Sequence, residues 1–470
     1  MSVILLSLTL ISCKPTLKEY KPDSAAVDFS SYLAVGNSLS AGFCNGALYK
    51  DRQQYAFPNI LAEQLEYVGR KGVFKQPYLD YPDGIRADEV DGKLYLSTRL
   101  SLQYVKDCLG QTSLGAGRVD PNAPQDKLYQ ALSANISDQG PFCNIGVPAL
   151  KAINMFMPNY GKLNLYFGRM IKNPESETVI SLVKKVKPSF FSVLIGNNDV
   201  ILYAVTGGTS GFVTPVNGAA GVGFDGSFNA IIDTLIANNT NKSGKLQGVL
   251  MPVGDIEDLP YFNTIPYNAI PIKEQSQADA LNAAYDAYNK LMEQLGIDER
   301  ISFSVGNNPA IIQDPDLPLD DQYAAYKFRQ IKSTEKLLLS LPRDSIVCAG
   351  WGTMKPVPDE FTLRQPQIQK IAEAKSGYNE IIKSMAQKYG LAYADINILL
   401  GNIKKGRLVI DGVKYSAEFI TGNVFSLDGI HLTPQGNALL ANFIIEAINK
   451  HYGTKIPYTS VTKYPTLIYP

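Results

Sequence analysis

Short apolar runs and longer segments of helical periodicity alternate along the chain from residue 31 to 452. Ser31–Val35 (SYLAV), Ser189–Ile195 (SFFSVLI), Leu246–Val253 (LQGVLMPV) and Leu391–Ala394 (LAYA) have no polar alternation, as expected for strands buried on both faces of a parallel sheet. Between them, Leu281, Tyr285, Tyr288, Met292 and Leu295 fall on one helical face, with Gly296 just past its end. Ile368, Ile371, Tyr378, Ile382, Met385 and Tyr389 do the same ahead of Gly390. A third helix is predicted from Thr433 as N-cap and Pro434 as first residue to about Lys450. Strands alternating with helices predict one α/β domain, with a parallel sheet covered by helices on both faces.

Two stretches depart from the alternation and read as insertions, at about 70–140 and 200–226. The first holds a hairpin signal at Asp91-Gly92 and no convincing crossover helix. Within the second, residues 207–226 contain seven glycines and are expected to form a mobile loop. Another hairpin signal stands at Asp411-Gly412. Ahead of the domain, Val3–Ile11 is apolar but too short to span a bilayer, which suits the core of a secretory signal. The polar stretch Lys14–Asp28 lacks periodicity and reads as a tether.

A hydrophobic content of 45% excludes a disordered chain. Forty-four basic residues balance forty-four acidic ones, so nothing in the net charge favours nucleic acid. Besides Cys13 the chain has Cys44, Cys108, Cys143 and Cys348, which permit disulfides in an exported protein or remain as buried thiols. No CxxC pair suggests zinc, and the acidic stretch Asp314-Pro315-Asp316 to Asp320-Asp321 fits no calcium loop, so it reads as a solvated loop. No metal or cofactor is expected.

Three short segments could carry chemistry. In Gly36-Asn37-Ser38-Leu39-Ser40, a serine at a strand-to-helix turn is either a helix cap or a nucleophile beside N–H groups that can hold an oxyanion. Gly196-Asn197-Asn198-Asp199 ends the SFFSVLI run and is either a turn or a set of amides aimed into a crevice. In Asp428-Gly429-Ile430-His431-Leu432 a carboxylate three residues before an imidazole can hold its tautomer and stabilise its charged form. The other histidine, His451, reads as an exposed helix-end residue.

In this order, with Asn144-Ile145-Gly146-Val147-Pro148 between the first two, these segments resemble the blocks of the SGNH (GDSL) esterase and lipase superfamily. The blocks run from residue 36 to 436. The resemblance implies a flavodoxin-like three-layer α/β/α sandwich over residues 29–470 and hydrolysis of carboxylic esters, in acylated glycans or lipids, without cofactor. It implies Ser38 as nucleophile, His431 as base and acid, Asp428 as its orienter, and an oxyanion hole from the Ser38 and Gly146 N–H groups and the Asn198 amide. Asn37 departs from the family's usual Asp. Leu10-Ile11-Ser12-Cys13 resembles a bacterial lipobox, which implies removal of residues 1–12, lipidation of Cys13 and a tether over 13–28. The protein is then expected to be exported and anchored to the cell envelope, at the outer membrane, through the lipid alone. The alternatives are a carbohydrate O-deacetylase within the same family, or a surface lipoprotein that keeps this fold and binds a glycan or partner without catalysis.

Overall fold

Five short strands make one parallel sheet: β1 (Tyr32–Gly36), β2 (Asn144–Gly146), β3 (Phe190–Leu194), β4 (Gly248–Leu250) and β5 (Ala392–Tyr393), in the order β5-β4-β3-β1-β2. Every residue of β1 and β3 is buried, and Val35 pairs with Ile145 on one side and Val193 on the other. With its helices the sheet makes a mixed α/β fold. The computed structural model describes residues 20–90 and 92–470, so the run Val3–Ile11, Cys13 and Asp91 lie outside the described residues. The LQGVLMPV run pairs over three residues only; Pro252 has no N–H with which to extend a ladder.

The helices include α1 (Ser38–Ala41), α2 (Phe57–Glu66), α3 (Val179–Lys185), α4 (Asn197–Ala204), α5 (Phe224–Ala237), α6 (Gln275–Gln294), α7 (Gln365–Tyr389), α8 (Ile396–Lys404) and α9 (Pro434–Tyr452), besides other helical segments. Local chemistry explains their ends. Thr433 caps α9 by accepting from the Gly436 N–H at 3.0 Å, and Gly390 closes α7 at φ +61°. No helix among the described residues is long and apolar enough to cross a membrane.

Packing overrides the sequence reading in several places. The buried face of α6 (Ala278, Leu281, Tyr288 and Met292) does not cover the sheet but enters a second apolar cluster with Ile301, Phe303, Ile311 and Leu337. Leu295, expected on that face, is exposed. Periodicity identifies an apolar face without saying what it faces. The stretch 70–140 folds into two hairpins, Arg86–Val90 with Lys93–Ser97 and Leu100–Lys106 with Thr112–Arg118, followed by the helix Gln125–Ser133. A disulfide joins Cys108, in the turn of the second hairpin, to Cys348, while Cys44 and Cys143 are free.

The glycine-rich stretch is not loose. Residues 200–204 belong to α4, and α5 begins at Phe224. Thr214 between them is buried and accepts the Tyr378 hydroxyl. A Cβ on Gly223 would lie 2.3 Å from Gly218 N, so the glycines allow close backbone approach. Asp314 is likewise no solvated residue. Arg329 reaches it at 2.6 Å and Arg364 reaches it too, from 15 and 50 positions away, and Arg329 also holds Glu335 with two bonds of 2.7 Å. Part of the expected tether also packs on the body: Lys455 N–H donates to Asp23 O at 2.8 Å, and Val27 is buried. The Asp411-Gly412 hairpin forms as predicted, with Ile410 opposite Val413 and both turn residues at positive φ.

Candidate active site

The parallel sheet brings the carboxyl ends of β1, β2 and β3 to one edge. At the end of β1 the chain turns sharply at Gly36, where a Cβ would lie 2.1 Å from Ser40 Oγ and 2.8 Å from Leu194 O. Asn37, not Ser38, caps α1: its Oδ1 accepts from Leu39 N–H at 3.0 Å, and its amide nitrogen donates to Asn197 Oδ1 at 3.4 Å. A carboxylate at this position could accept the first bond but not donate the second. The Ser38 hydroxyl is thereby left free for another partner.

That partner is His431, whose Nε2 lies 2.8 Å from Ser38 Oγ. On the other side of the ring, Nδ1 lies 3.0 Å from Asp428 Oδ2. The carboxylate accepts, so Nδ1 carries the hydrogen and Nε2 is the acceptor for the Ser38 hydroxyl. Phe43 packs on the imidazole with ring centroids 4.7 Å apart.

Asp428 is buried and receives four hydrogen bonds. Oδ1 accepts from the N–H groups of Ile430 at 2.9 Å and His431 at 2.8 Å, which folds the DGIH segment into a compact turn. Oδ2 accepts from the ring and from Gly46 N–H at 2.7 Å. Burial alone would raise its pKa; the His431 charge and these hydrogen bonds outweigh burial and hold the carboxyl well below the usual range. It stays charged. The Gly46 donor was missed in the sequence although its signal was legible, because Asn45-Gly46 is a tight-turn dipeptide and Cys44 does bridge Ala47 around it.

Comparison with models of protein families, with curated proteins and with solved structures finds no match for this chain.

The expected oxyanion donors are only partly brought together. Ser38 and Asn198 line one cavity with His431 and Asp428, but Gly146 does not line it. Gly146 instead packs under α1, where a Cβ would lie 2.4 Å from Ala41 N, so close packing is what requires a glycine there. Three residues on, Ala149 does line the cavity, at φ +61°. Neither its N–H nor that of Ser38 donates to any group among the described residues. A non-glycine residue held in the left-handed region is the signal for Ala149, and no sequence pattern carries it.

The segment that bears Ala149 is held by α4. Asn198 donates one amide hydrogen to Leu150 O at 3.0 Å, leaving the second for the cavity, and Asp199 accepts from Ala152 N–H at 2.9 Å. Burial pushes the Asp199 carboxyl up to about 6, against the lowering effect of the Ala152 bond, the Thr214 hydroxyl and Lys151. His451 is exposed and its Nε2 donates to Gly390 O at 2.9 Å, away from the site. Among the described residues, no group of three or more His, Cys, Asp or Glu is placed to hold a metal ion.

Proposed function

We propose that the protein is a serine hydrolase of the SGNH type that cleaves carboxylic esters through an acyl-enzyme. The observation that carries this reading is the unbroken chain from Ser38 Oγ through His431 to Asp428, with bonds of 2.8 and 3.0 Å. A serine hydroxyl becomes nucleophilic at neutral pH when an adjacent base takes its proton. In this mechanism Ser38 Oγ attacks the acyl carbon as its proton passes to His431 Nε2, and Asp428 stabilises the charged ring. The oxyanion accepts hydrogen bonds from the N–H groups of Ser38 and Ala149 and from the second amide hydrogen of Asn198. His431 then gives the proton to the departing alcohol, and water repeats the sequence on the acyl group.

The same reading includes a flavodoxin-like three-layer sandwich, supported by α9 packing on α2 and, separately, α7 packing on α4 and α5. It also includes export and lipid attachment at Cys13, supported by the sequence of residues 3–13. A fluorophosphonate probe tests the central claim. Labelling of Ser38, abolished in Ser38→Ala, is the expected outcome; an unlabelled, folded wild type would overturn it.

A further inference from the structure

The cavity at Ser38 measures about 480 Å³, within the range of sites that enclose a small ligand. Its polar residues are unevenly distributed. Asn37, Ser38, Asn198, Asp428 and His431 belong to the reaction centre. Beyond it, Ile201 and Leu202 of α4 and Val205 just past its end line the cavity together with Ile396, Leu400 and Ile403 of α8. The last three are spaced as one face of a helix, and that face is turned to the cavity. Water against such walls leaves apolar surface unburied, so the occupant that gains most there is itself apolar.

Of the polar side chains that border this half, three are already paired, and Asn197 and Ser340 border the cavity as well. Asp255 is held by Lys375, the Tyr261 hydroxyl donates to Val205 O at 3.2 Å, and the Thr206 hydroxyl donates to Tyr203 O at 3.0 Å. A sugar entering here would lose water and find few free partners for its hydroxyls. Arg86 lines the cavity too, but it is ion-paired with Asp88 and near the charge of Asp428, on the side of the His431–Asp428 pair. His431 has to reach the leaving oxygen, so the alcohol belongs on that side and the acyl group on the other.

We propose that the acyl group is an unbranched fatty acyl chain of medium length, running from Ser38 between α4 and α8 over the ends of β3, β4 and β5. This specificity rests on the hydrolase reading above. The chain crosses three strand spacings from β1 to β5, roughly 15 Å, and this length sets the limit. Apolar burial adds with each methylene until the cavity is full.

The test is kcat/KM for p-nitrophenyl acetate, butyrate, octanoate and palmitate, alongside acetates of alcohols of graded length. The expected result is a rise of about fourfold per acyl methylene up to octanoate, with a fall at palmitate and no comparable dependence on the alcohol. Leu400→Trp, which fills the cavity from α8, lowers the octanoate-to-acetate ratio by about tenfold or more, and Leu202→Trp does so from α4 if the first variant does not fold. A preference for acetate, or a length preference that follows the alcohol, would overturn the inference. Calorimetric titration of Ser38→Ala with octanoate separates the two readings. Octanoate binding without fluorophosphonate labelling of the wild type would refute hydrolysis and keep the acyl cavity. Labelling of Ser38 with no octanoate binding and an acetate preference would do the reverse.

Discussion

The backbone N–H of Gly46 donates to Asp428 Oδ2 at 2.7 Å, across a chain separation of 382 residues. Its neighbour Asn45 adds two more links to the same loop: its N–H donates to Ser426 Oγ at 2.9 Å, and its Oδ1 accepts from Leu427 N–H at 3.1 Å. The turn after α1 therefore clamps the segment that carries His431. Ser38 and His431 are held by one piece of structure, so their 2.8 Å contact does not depend on the two ends of the chain finding each other through the sheet alone.

Because four donors converge on the Asp428 carboxylate, Asp428→Asn is expected to cost more than charge. An amide offers one oxygen to those donors and sets its own N–H groups against others. The expected loss is about 10⁴-fold in kcat through the wrong imidazole tautomer. Unfolding by urea should show a loss of about 1–3 kcal/mol as well. An unchanged kcat in the folded variant would remove Asp428 from the mechanism.

Asn198 has a structural partner in Leu150 O and, in the proposed mechanism, a chemical one in the oxyanion. Asn198→Ala is expected to lower kcat by about 10²–10³-fold while KM changes little, because the lost donor acts on the transition state. It also leaves Leu150 O without its side-chain partner, so the melting temperature should drop slightly. Steady-state kinetics with a thermal melt reads both effects. A lowered melting temperature with full kcat would make the residue purely structural.

Asp199 sets a pH dependence of stability. Its folded-state pKa of about 6 lies above the ordinary carboxylate value, so the native protein binds the proton more tightly than the unfolded chain. The associated stability is present in full below pH ~4 and is lost as pH rises through about 6, amounting to on the order of 3 kcal/mol. Urea melts from pH 4 to 7 should therefore show a steeper decline for the wild type than for Asp199→Asn, which carries no titrating group there. Parallel curves would contradict the assignment.

The Cys108–Cys348 bond connects the hairpin of the first insertion to the second apolar cluster, 240 residues apart in sequence. Arg343 reinforces the junction through Asp107 at 3.4 Å, and Asp344 accepts from Cys108 N–H at 3.2 Å. Replacing both cysteines by serine is expected to reduce stability by about 2–5 kcal/mol. Denaturation of the double variant and of reduced wild type should agree; a loss in neither would show that the polar contacts suffice.

Features whose causes lie within a turn or two of chain are legible in the sequence. The Thr433 cap, the Gly390 stop, the Asp411-Gly412 hairpin and the buried runs of β1 and β3 follow from side chains and backbone preferences close in sequence. The DxxH spacing belongs here as well, since the turn that sets His431 beside Asp428 closes on its own N–H groups. Tertiary structure alone decided what each surface meets. It sent α6 to a second cluster, paired Asp314 with Arg329 and Arg364, bound the glycine-rich stretch against α7, and put Ala149 rather than Gly146 at the cavity. The physical reason is one of range. Capping and turn formation depend on neighbours in the chain, whereas the partner of an apolar face or a buried charge is chosen by the free energy of the whole packed molecule, and residues 50 or 382 positions away contribute to it as strongly as the next one.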